Sequence, residues 1–237
     1  MRLPGGLLQP PFAHRGLWSP GEASENSLAA IGRACEMGYG SEFDVRLSSD
    51  GVPVVFHDET LVRMTGVDIP VSGVAAGELA QTPLQGGPDR VPTLAEVLDL
   101  VDGRAMLLVE LKPGPDPIEV AAHAAKVIDR YKGPLAVISF EPLSLAWWAA
   151  ERPDVLRGLD AMWEPEDEAY AAEELAQMCE IALPHFLALE KRAAMGQLAA
   201  AHRADGRPVI AWTLRTTEEV ALVADACDNF IFEGFTA

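Results

Sequence analysis

Short apolar runs alternate along the chain with longer stretches in which apolar residues recur every three or four positions. The short runs are typical of buried β-strands, and the longer stretches are typical of amphipathic helices. Eight runs predict the main strands, at 10–16, 40–47, 104–112, 134–140, 155–162, 180–185, 207–214 and 228–234. Helices are predicted between strands, at 27–38, 117–131, 142–151, 166–178, 189–204 and 216–226.

This alternation predicts a parallel sheet, and the number of units indicates its form. Eight βα units within 237 residues favour a closed (β/α)8 TIM barrel over an open, doubly wound sheet. The sequence has neither GxGxxG nor a Walker motif, which argues against a nucleotide cofactor. We therefore expect a single catalytic α/β barrel domain over residues 1–237.

One part of the chain departs from this rhythm. A DG dipeptide at 50–51 is a hairpin signal and leads into an added strand at 52–58. The stretch from about 59 to 104 holds several glycines and prolines and is too short for an independent domain. Within it, Thr93 and Glu96 have the spacing of a helix-capping box. We predict a small insertion here, between the added strand and the third main strand.

The charge of the chain limits its partners. Its 36 acidic and 18 basic residues give a formal net charge of -18, which opposes general affinity for nucleic acid or anionic membranes. There is no uncharged apolar run of transmembrane length, and Cys35, Cys179 and Cys227 lack the spacing of a zinc site or disulfide framework. We expect a soluble, cytoplasmic protein with three buried thiols and no stable membrane association. Its oligomeric state is left open.

Ionisable residues cluster near the carboxyl ends of the first strands, where barrel enzymes hold their chemistry. Residues two apart in a strand project to the same face, so E-x-D at 42–44 and E-x-K at 110–112 each place two charges on one side. Buried charges are costly unless they are paired or bind a metal. The resulting candidate set is His14, Arg15, Glu42, Asp44, His57, Glu110 and Lys112.

The chemistry of this set suits a phosphodiester. Its three carboxylates offer oxygen ligands, which favours Mg2+ or Ca2+ over zinc. The planar guanidinium of Arg15 matches a phosphate group, and Lys112 supplies a second positive charge. An unperturbed imidazole has a pKa of about 6.5, so histidines such as His14 and His57 suit an acid–base pair.

Each fragment alone has a plainer interpretation. A single E-x-D in a strand is usually solvated or salt-bridged, His-Arg after a strand often anchors a loop, and HD alone is nearly uninformative. Their occurrence at successive strand ends of one predicted barrel favours a functional site.

In motif and order, the sequence resembles the glycerophosphodiester phosphodiesterases. The resemblance spans nearly the whole chain, and its most specific part is E-x-D followed by HD and then E-x-K. The matching segments are HRG at 14–16, SPGEASENS at 19–27, EFDVRLSSDGVPVVFHDETLVRMTG at 42–66, VPTLAEVL at 91–98, VELK at 109–112, SF at 139–140 and AWTL at 211–214.

The resemblance implies a (β/α)8 barrel with an insertion after the HD strand and assigns roles to the candidate residues. It implies that the three carboxylates hold a divalent metal, Mg2+ or Ca2+ with Mn2+ also compatible. By the same resemblance, His14 and His57 are acid and base, and Arg15 and Lys112 contact phosphate. Glu25 matches an acid of the family and would support the site from behind, although a surface helix cap is nearly as good an interpretation.

The resemblance also marks positions on the last strands. Trp212 matches an aromatic residue near the substrate, with structural packing as an equal alternative. Two places depart from the family: Arg215 stands where asparagine is common, and Phe232 and Glu233 stand where Thr-Asp is usual. Since Glu233 keeps a carboxylate, we expect the departures to affect the alcohol group more than phosphate chemistry. The remaining histidines match no motif and are interpreted as structural or exposed: His123, His185 and His202.

The resemblance implies metal-dependent hydrolysis of small glycerophosphodiesters to glycerol 3-phosphate and an alcohol. Two alternatives stay open. One is a related lipid phosphodiesterase such as a lysophospholipase D, which needs an apolar channel for an acyl chain. The other is a catalytically silent barrel that acts as a scaffold, against which the presence of all seven candidate residues argues.

Overall fold

Nine strands form one sheet that closes on itself. The computed structural model describes residues 5–114 and 116–237. Eight strands run parallel in the order β1-β9-β8-β7-β6-β5-β4-β2, and pairing of β1 with β2 closes the barrel, while β3 lies antiparallel to β2. The strands are β1 (Phe12–His14), β2 (Gly40–Leu47), β3 (Pro53–Val55), β4 (Leu107–Leu111), β5 (Leu135–Ser139), β6 (Leu156–Ala161), β7 (Phe186–Glu190), β8 (Val209–Leu214) and β9 (Asn229–Phe232). This is the predicted (β/α)8 TIM barrel.

Helices connect successive strands, and short 3-10 turns occur at Val71–Gly73 and Pro165–Asp167. None of the helices in the described ranges has the length and apolar character that a membrane crossing requires. The helices are α1 (Gly5–Leu8), α2 (Leu28–Glu36), α3 (Val62–Thr65), α4 (Ala76–Leu79), α5 (Leu94–Val101), α6 (Pro117–Ile128), α7 (Pro142–Glu151), α8 (Glu168–Ala182), α9 (Lys191–Ala194), α10 (Gln197–Ala204) and α11 (Thr217–Val223).

Alternate residues along β4 belong to two separate cores. Leu107 and Val109 pack outward against the helices, whereas Leu108 and Met106, the residue just before the strand, belong to the cluster that fills the barrel interior. Because side chains alternate, Glu110 and Lys112 continue the interior series toward the carboxyl end of the strand. The barrel interior is therefore apolar toward the amino ends of the strands and ionisable at their carboxyl ends. We call this ionisable end the mouth.

The segment after β3 has a small apolar cluster of its own. The cluster contains Phe56, Leu61, Met64 and Leu79, and it includes residues of α3 and α4. The helix α5 packs against α2 and α6, so it takes the place of a barrel helix. Its predicted capping box is present.

Two predicted elements around β7 are wrong. The run 180–185 was predicted as a strand, but α8 continues to Ala182 and ends at Leu183, which has a left-handed φ of 48°. Pro184 cannot continue a helix, and the strand begins at Phe186. The helix predicted over 189–204 consequently starts later and is divided into α9 and α10.

The cysteines are free, but only one is buried. Cys227 is buried, whereas Cys35 and Cys179 are half-buried, so the prediction of three buried thiols is wrong for these two. Cys35 lies on α2 and Cys179 on α8, and both helices face the barrel on one side only.

Candidate active site

Three carboxylates meet at the mouth on neighbouring strands. Glu42 and Asp44 project inward from β2, and the backbone register places Asp44 beside Glu110 of β4. One side-chain oxygen from each residue lies within 4.8 Å of the other two. All three residues are buried, at 2%, 0% and 8% exposure respectively, so their mutual repulsion is poorly screened by water.

The pKa values reflect this crowding. Burial raises the pKa of Glu42 well above its usual range, and the charges of Asp44 and Glu110 raise it further. Burial and Asp44 raise the pKa of Glu110 to about 7. Burial acts in the same direction on Asp44, but Lys112 and Arg15 outweigh it and hold its pKa below the usual range. The cluster therefore requires nearby positive charge.

Lys112 supplies part of that charge. Its Nζ lies 2.9 Å from Asp44 Oδ1 and 2.6 Å from Glu110 Oε1. Glu42 Oε1, Asp44 Oδ1 and Glu110 Oε1 are each buried without a hydrogen-bond partner in the described ranges, and Lys112 forms ion pairs with the last two. A hard divalent cation prefers oxygen ligands of this type, and the three carboxylates fit one.

A tight turn follows β1. Arg15 and Gly16 have left-handed φ values of 57° and 78°. A Cβ atom on Gly16 would lie 2.7 Å from the carbonyl carbon of Ala30, so only glycine fits here. The turn directs the backbone N–H of Arg15 onto Glu42 Oε2, at 3.1 Å.

The side chain of Arg15 binds carboxylates on both sides. Its Nη1 donates to Glu25 Oε1 at 2.8 Å, and its Nε lies 3.4 Å from Asp44 Oδ2. Glu25 is only 5% exposed and lies directly behind this guanidinium. The structure thus places Glu25 in contact with a candidate phosphate ligand rather than in a surface helix cap.

His14 lies between two carboxylates. Its Nδ1 is 2.5 Å from Glu233 Oε2, beyond the end of β9, and its Nε2 is 3.9 Å from Glu42 Oε2. The hydrogen bond from His14 holds the pKa of Glu233 below its usual range, against the opposing effect of burial. This ring therefore connects the last strand to the carboxylate cluster.

His57 follows β3 and has a carboxylate partner of its own. Its Nδ1 lies 2.7 Å from Asp58 Oδ1, and its backbone carbonyl accepts a hydrogen bond from Arg46 Nε at 2.8 Å. Burial lowers the pKa of His57, although the charge of Asp44 opposes this shift. A lowered pKa favours the neutral imidazole at neutral pH.

Sequence reasoning missed Arg63, which joins two of these groups from α3. It donates to Asp58 Oδ2 at 2.6 Å and to both oxygens of Glu25, at 2.8 and 2.7 Å. Burial raises the pKa of Glu25, but the bonds and charges of Arg63 and Arg15 outweigh it, so Glu25 titrates below its usual range. The insertion is thereby tied to the residues behind His57 and Arg15.

Sequence reasoning also missed two buried polar residues. The amide of Asn26 donates to Asp44 Oδ2 at 2.8 Å and accepts from the Asp44 backbone N–H at 3.3 Å. The SENS motif that drew attention to Glu25 contains this residue. Asp160 lies inside the barrel on β6, is 2% exposed and has an unpartnered Oδ2 within the described ranges.

With this geometry in place, comparison with known proteins identifies the family. Residues 14–231 match the model of the glycerophosphoryl diester phosphodiesterase family. The chain belongs to this family. A glycerophosphodiester phosphodiesterase from Caldanaerobacter subterraneus subsp. tengcongensis is 38% identical over 113 residues, which are 44% of this chain and 45% of that protein. The matched part thus spans less than half the length of this curated relative.

Solved structures resemble the chain over almost its full length. A phosphodiesterase from Oleispira antarctica, in complex with the product sn-glycerol-3-phosphate, has a TM-score of 0.78 at 27% identity, and the match covers 94% of this chain and 91% of that one. A glycerophosphodiester phosphodiesterase from Thermotoga maritima has a TM-score of 0.74 at 26% identity, with 93% and 92% covered.

Within this glycerophosphoryl diester phosphodiesterase barrel, Arg215 and Glu233, the positions expected to affect the alcohol group, lie close together. Arg215 is exposed, and its Nη2 lies 3.7 Å from the Glu233 oxygen that contacts His14. Phe232 points the other way, into an outer cluster with Tyr39. Only one residue of the altered pair at 232–233 therefore faces the mouth.

The remaining candidates in the phosphodiesterase fold are Trp212 and the three histidines that match no motif. Trp212 is half-buried on β8, with its ring edge-to-face against Phe140 at a centroid distance of 5.7 Å. The other histidines bond to structural groups: His123 lies 2.5 Å from Gly51 O, His185 accepts from the Arg157 backbone N–H, and His202 lies beside Arg207.

Proposed function

We propose that this chain hydrolyses glycerophosphodiesters to sn-glycerol 3-phosphate and an alcohol, with a divalent metal ion as cofactor. The observation that carries the proposal is the meeting of three buried carboxylates with the imidazole of His14 and the charged groups around His57. The product complex of the related Oleispira phosphodiesterase is consistent with this chemistry.

Glu42, Asp44 and Glu110 would hold the metal ion, with Mg2+ or Ca2+ preferred and Mn2+ compatible. A divalent ion bound there supplies positive charge for the carboxylates and for the more negative transition state of phosphoryl transfer. Lys112 contacts Asp44 and Glu110, so its ammonium group would lie beside this site and be available to a substrate phosphate.

Arg15 and Lys112 would bind the phosphate. Both cations lie against the carboxylate cluster, and the guanidinium of Arg15 can donate two parallel hydrogen bonds to phosphate oxygens. Glu25 and Asn26 would keep Arg15 and Asp44 in place, because each makes a direct hydrogen bond to one of them. Trp212 would line the part of the mouth that receives the alcohol or glycerol group.

His14 and His57 would act as the acid–base pair. One imidazole removes a proton from the attacking oxygen while the other protonates the departing alcohol. If the attacking oxygen is a glycerol hydroxyl of the substrate, a cyclic phosphate forms and water then opens it. If it is water, sn-glycerol 3-phosphate forms in one step.

Coupled detection of sn-glycerol 3-phosphate tests the activity. We expect release from one or more members of a panel of glycerophosphodiesters, and absence of product from the whole panel with Mg2+, Mn2+ or Ca2+ present would refute the proposal. Rapid quench separates the two routes, since only the first forms cyclic glycerophosphate and requires the hydroxyl that a 2-deoxy analogue lacks.

One observation favours lysophospholipids as a second substrate class. Phe140 and Met162 directly follow β5 and β6 and are 37% and 59% exposed, and Leu143 nearby is 49% exposed. An acyl chain could cover these apolar side chains at the mouth. Faster turnover of a lysophospholipid than of glycerophosphocholine would make this class the preferred one.

A further inference from the structure

Glu233 and His14 are brought together by the closure of the barrel. The strands β1 and β9 pair in parallel, with Ala13 opposite Phe232, so the next residues along each strand are His14 and Glu233. Their side chains meet at 2.5 Å although they are 219 residues apart in the chain. Glu233 lies in the interior series of β9 that begins with Ile231.

The partners of the ring determine where its proton lies. An ionised carboxylate only accepts hydrogen bonds, so the contact with Glu233 requires the proton on Nδ1 of His14. In the neutral ring, the lone pair is then on Nε2, the nitrogen that lies 3.9 Å from Glu42 Oε2. The basic nitrogen of His14 therefore faces the carboxylate cluster.

Arg215 favours the ionised form of Glu233. Its Nη2 lies 3.7 Å from the same Oε2, and it is largely exposed, so it adds positive charge without blocking the ring. The hydrogen bond from His14 and the charge of Arg215 both hold the pKa of Glu233 below its usual range. Arg215, just after β8, and Glu233, just after β9, thus form one connected pair that reaches His14.

His57 has the same arrangement from a different source. Its Nδ1 contacts Asp58, the next residue in the chain, and Arg63 binds that carboxylate at 2.6 Å. Each imidazole of the mouth thus has a carboxylate at Nδ1 and an arginine behind it.

We infer that Glu233, assisted by Arg215, is the positioning residue of His14: it fixes the Nδ1–H tautomer and turns Nε2 toward the reacting groups. The kinetic consequence of this inference rests on the proposed phosphodiesterase function. The tautomer of His14 does not depend on the proposed function, because it is a property of the protein without substrate.

Nitrogen-15 NMR of the imidazoles in the full chain, without substrate, tests the tautomer directly. The chain has five histidines, and the His14→Ala spectrum identifies the His14 signals. We expect the Nδ1–H form in the unchanged protein and a shift toward the Nε2–H form in Glu233→Ala. Asp129→Asn, which alters an exposed pair with Arg152, is the control and leaves the His14 signals unchanged.

Steady-state kinetics supply the second readout. We expect Glu233→Ala to lower kcat about 100-fold with KM changed less than about threefold, because the ring is misplaced while phosphate binding is kept. Arg215→Ala lowers kcat by a smaller factor, about threefold to fivefold. Glu233→Gln keeps an acceptor of the same length and gives an intermediate kcat, and it replaces the alanine variant if that one does not fold.

Two results would overturn the inference. One is an Nε2–H tautomer of His14 in the unchanged protein, and the other is a Glu233→Ala or Glu233→Gln protein with unchanged His14 signals and unchanged kcat. If the unchanged protein released no sn-glycerol 3-phosphate, the proposed function would fail, and the NMR result alone would still decide the role of Glu233.

Discussion

The two imidazoles at the mouth differ in how they are held. His14 is fixed by a residue from the other end of the chain, whereas His57 is fixed by its neighbour Asp58. Each ring makes its side-chain hydrogen bond through Nδ1 to a carboxylate at the mouth and not to the core of the barrel. Their removal should therefore affect chemistry more than stability.

We expect His14→Ala and His57→Ala each to lower turnover by at least about 100-fold, the usual contribution of a positioned acid or base. The far-ultraviolet circular dichroism and the urea midpoint should stay close to those of the unchanged protein. His202→Ala is the matched control, because this half-buried histidine lies on α10, away from the mouth. Near-normal turnover in either variant would remove that histidine from the acid–base pair.

Asp160 makes the stability of the fold depend on pH. Burial holds its pKa well above the usual range, and the charges of Glu110 and Asp44 add to the effect, although Lys112 opposes it. Above about pH 4 the unfolded chain loses this proton while the folded chain keeps it, so stability falls as pH rises toward the folded pKa. Each unit of pKa difference corresponds to about 1.4 kcal/mol.

Asp160→Asn removes this titration. We expect the variant to gain unfolding free energy relative to the unchanged protein as pH is raised, with little difference near pH 4. Urea unfolding at pH 4.5 and pH 8, in EDTA, measures the change. An equal difference between the two proteins at both pH values would show that Asp160 titrates at similar pH in the folded and unfolded states.

At the scale of elements, the insertion contributes directly to the mouth through α3. This helix has only four residues, and its Arg63 holds two carboxylates that in turn hold His57 and Arg15. A short helix of this kind has little stability of its own, so the ion pairs and the small apolar cluster together keep it in place. The insertion is therefore a structural support for the site.

We expect Arg63→Met to lower turnover about 10-fold, because loss of a group that orients site residues commonly costs 10-fold to 100-fold. Arg63→Lys should recover part of the loss, since it keeps one charge but not the fork that binds Glu25. Arg33→Met is the control, because Arg33 forms an exposed pair with Glu22 on the outside of α2. Equal turnover in Arg63→Met and Arg33→Met would contradict the supporting role.

At the scale of the whole molecule, the sequence predicts the barrel and the face of each strand better than it predicts contacts between strands. Glu42, Asp44, Glu110 and Lys112 are recognisable because residues two apart share a face within one strand. The hydrogen bond between Glu233 and His14 cannot be recognised from the sequence, because it depends on closure of the sheet between β9 and β1. Arg63 was missed for a related reason, since an arginine in a loop-rich segment carries no periodic signal.

The error at β7 has a local cause. The residues at 180–185 are apolar enough for a strand, but they complete the last turn of α8, and the similar run FLALE just after them forms the strand. Two adjacent apolar runs cannot be told apart by hydropathy when each is about five residues long. The left-handed Leu183 and the following Pro184 mark the boundary.

The molecule is acidic, with a formal net charge of -18, and three carboxylates meet at the mouth. Both features repel an anionic substrate. Only added positive charge makes this arrangement favourable. Metal dependence is therefore the central claim about the molecule.

The direct measurement is the release of sn-glycerol 3-phosphate from a glycerophosphodiester in excess EDTA and after Mg2+, Mn2+ or Ca2+ is added back. We expect chelation to abolish turnover and at least one of these ions to restore it. Full turnover in excess EDTA would contradict the assignment of Glu42, Asp44 and Glu110 as metal ligands.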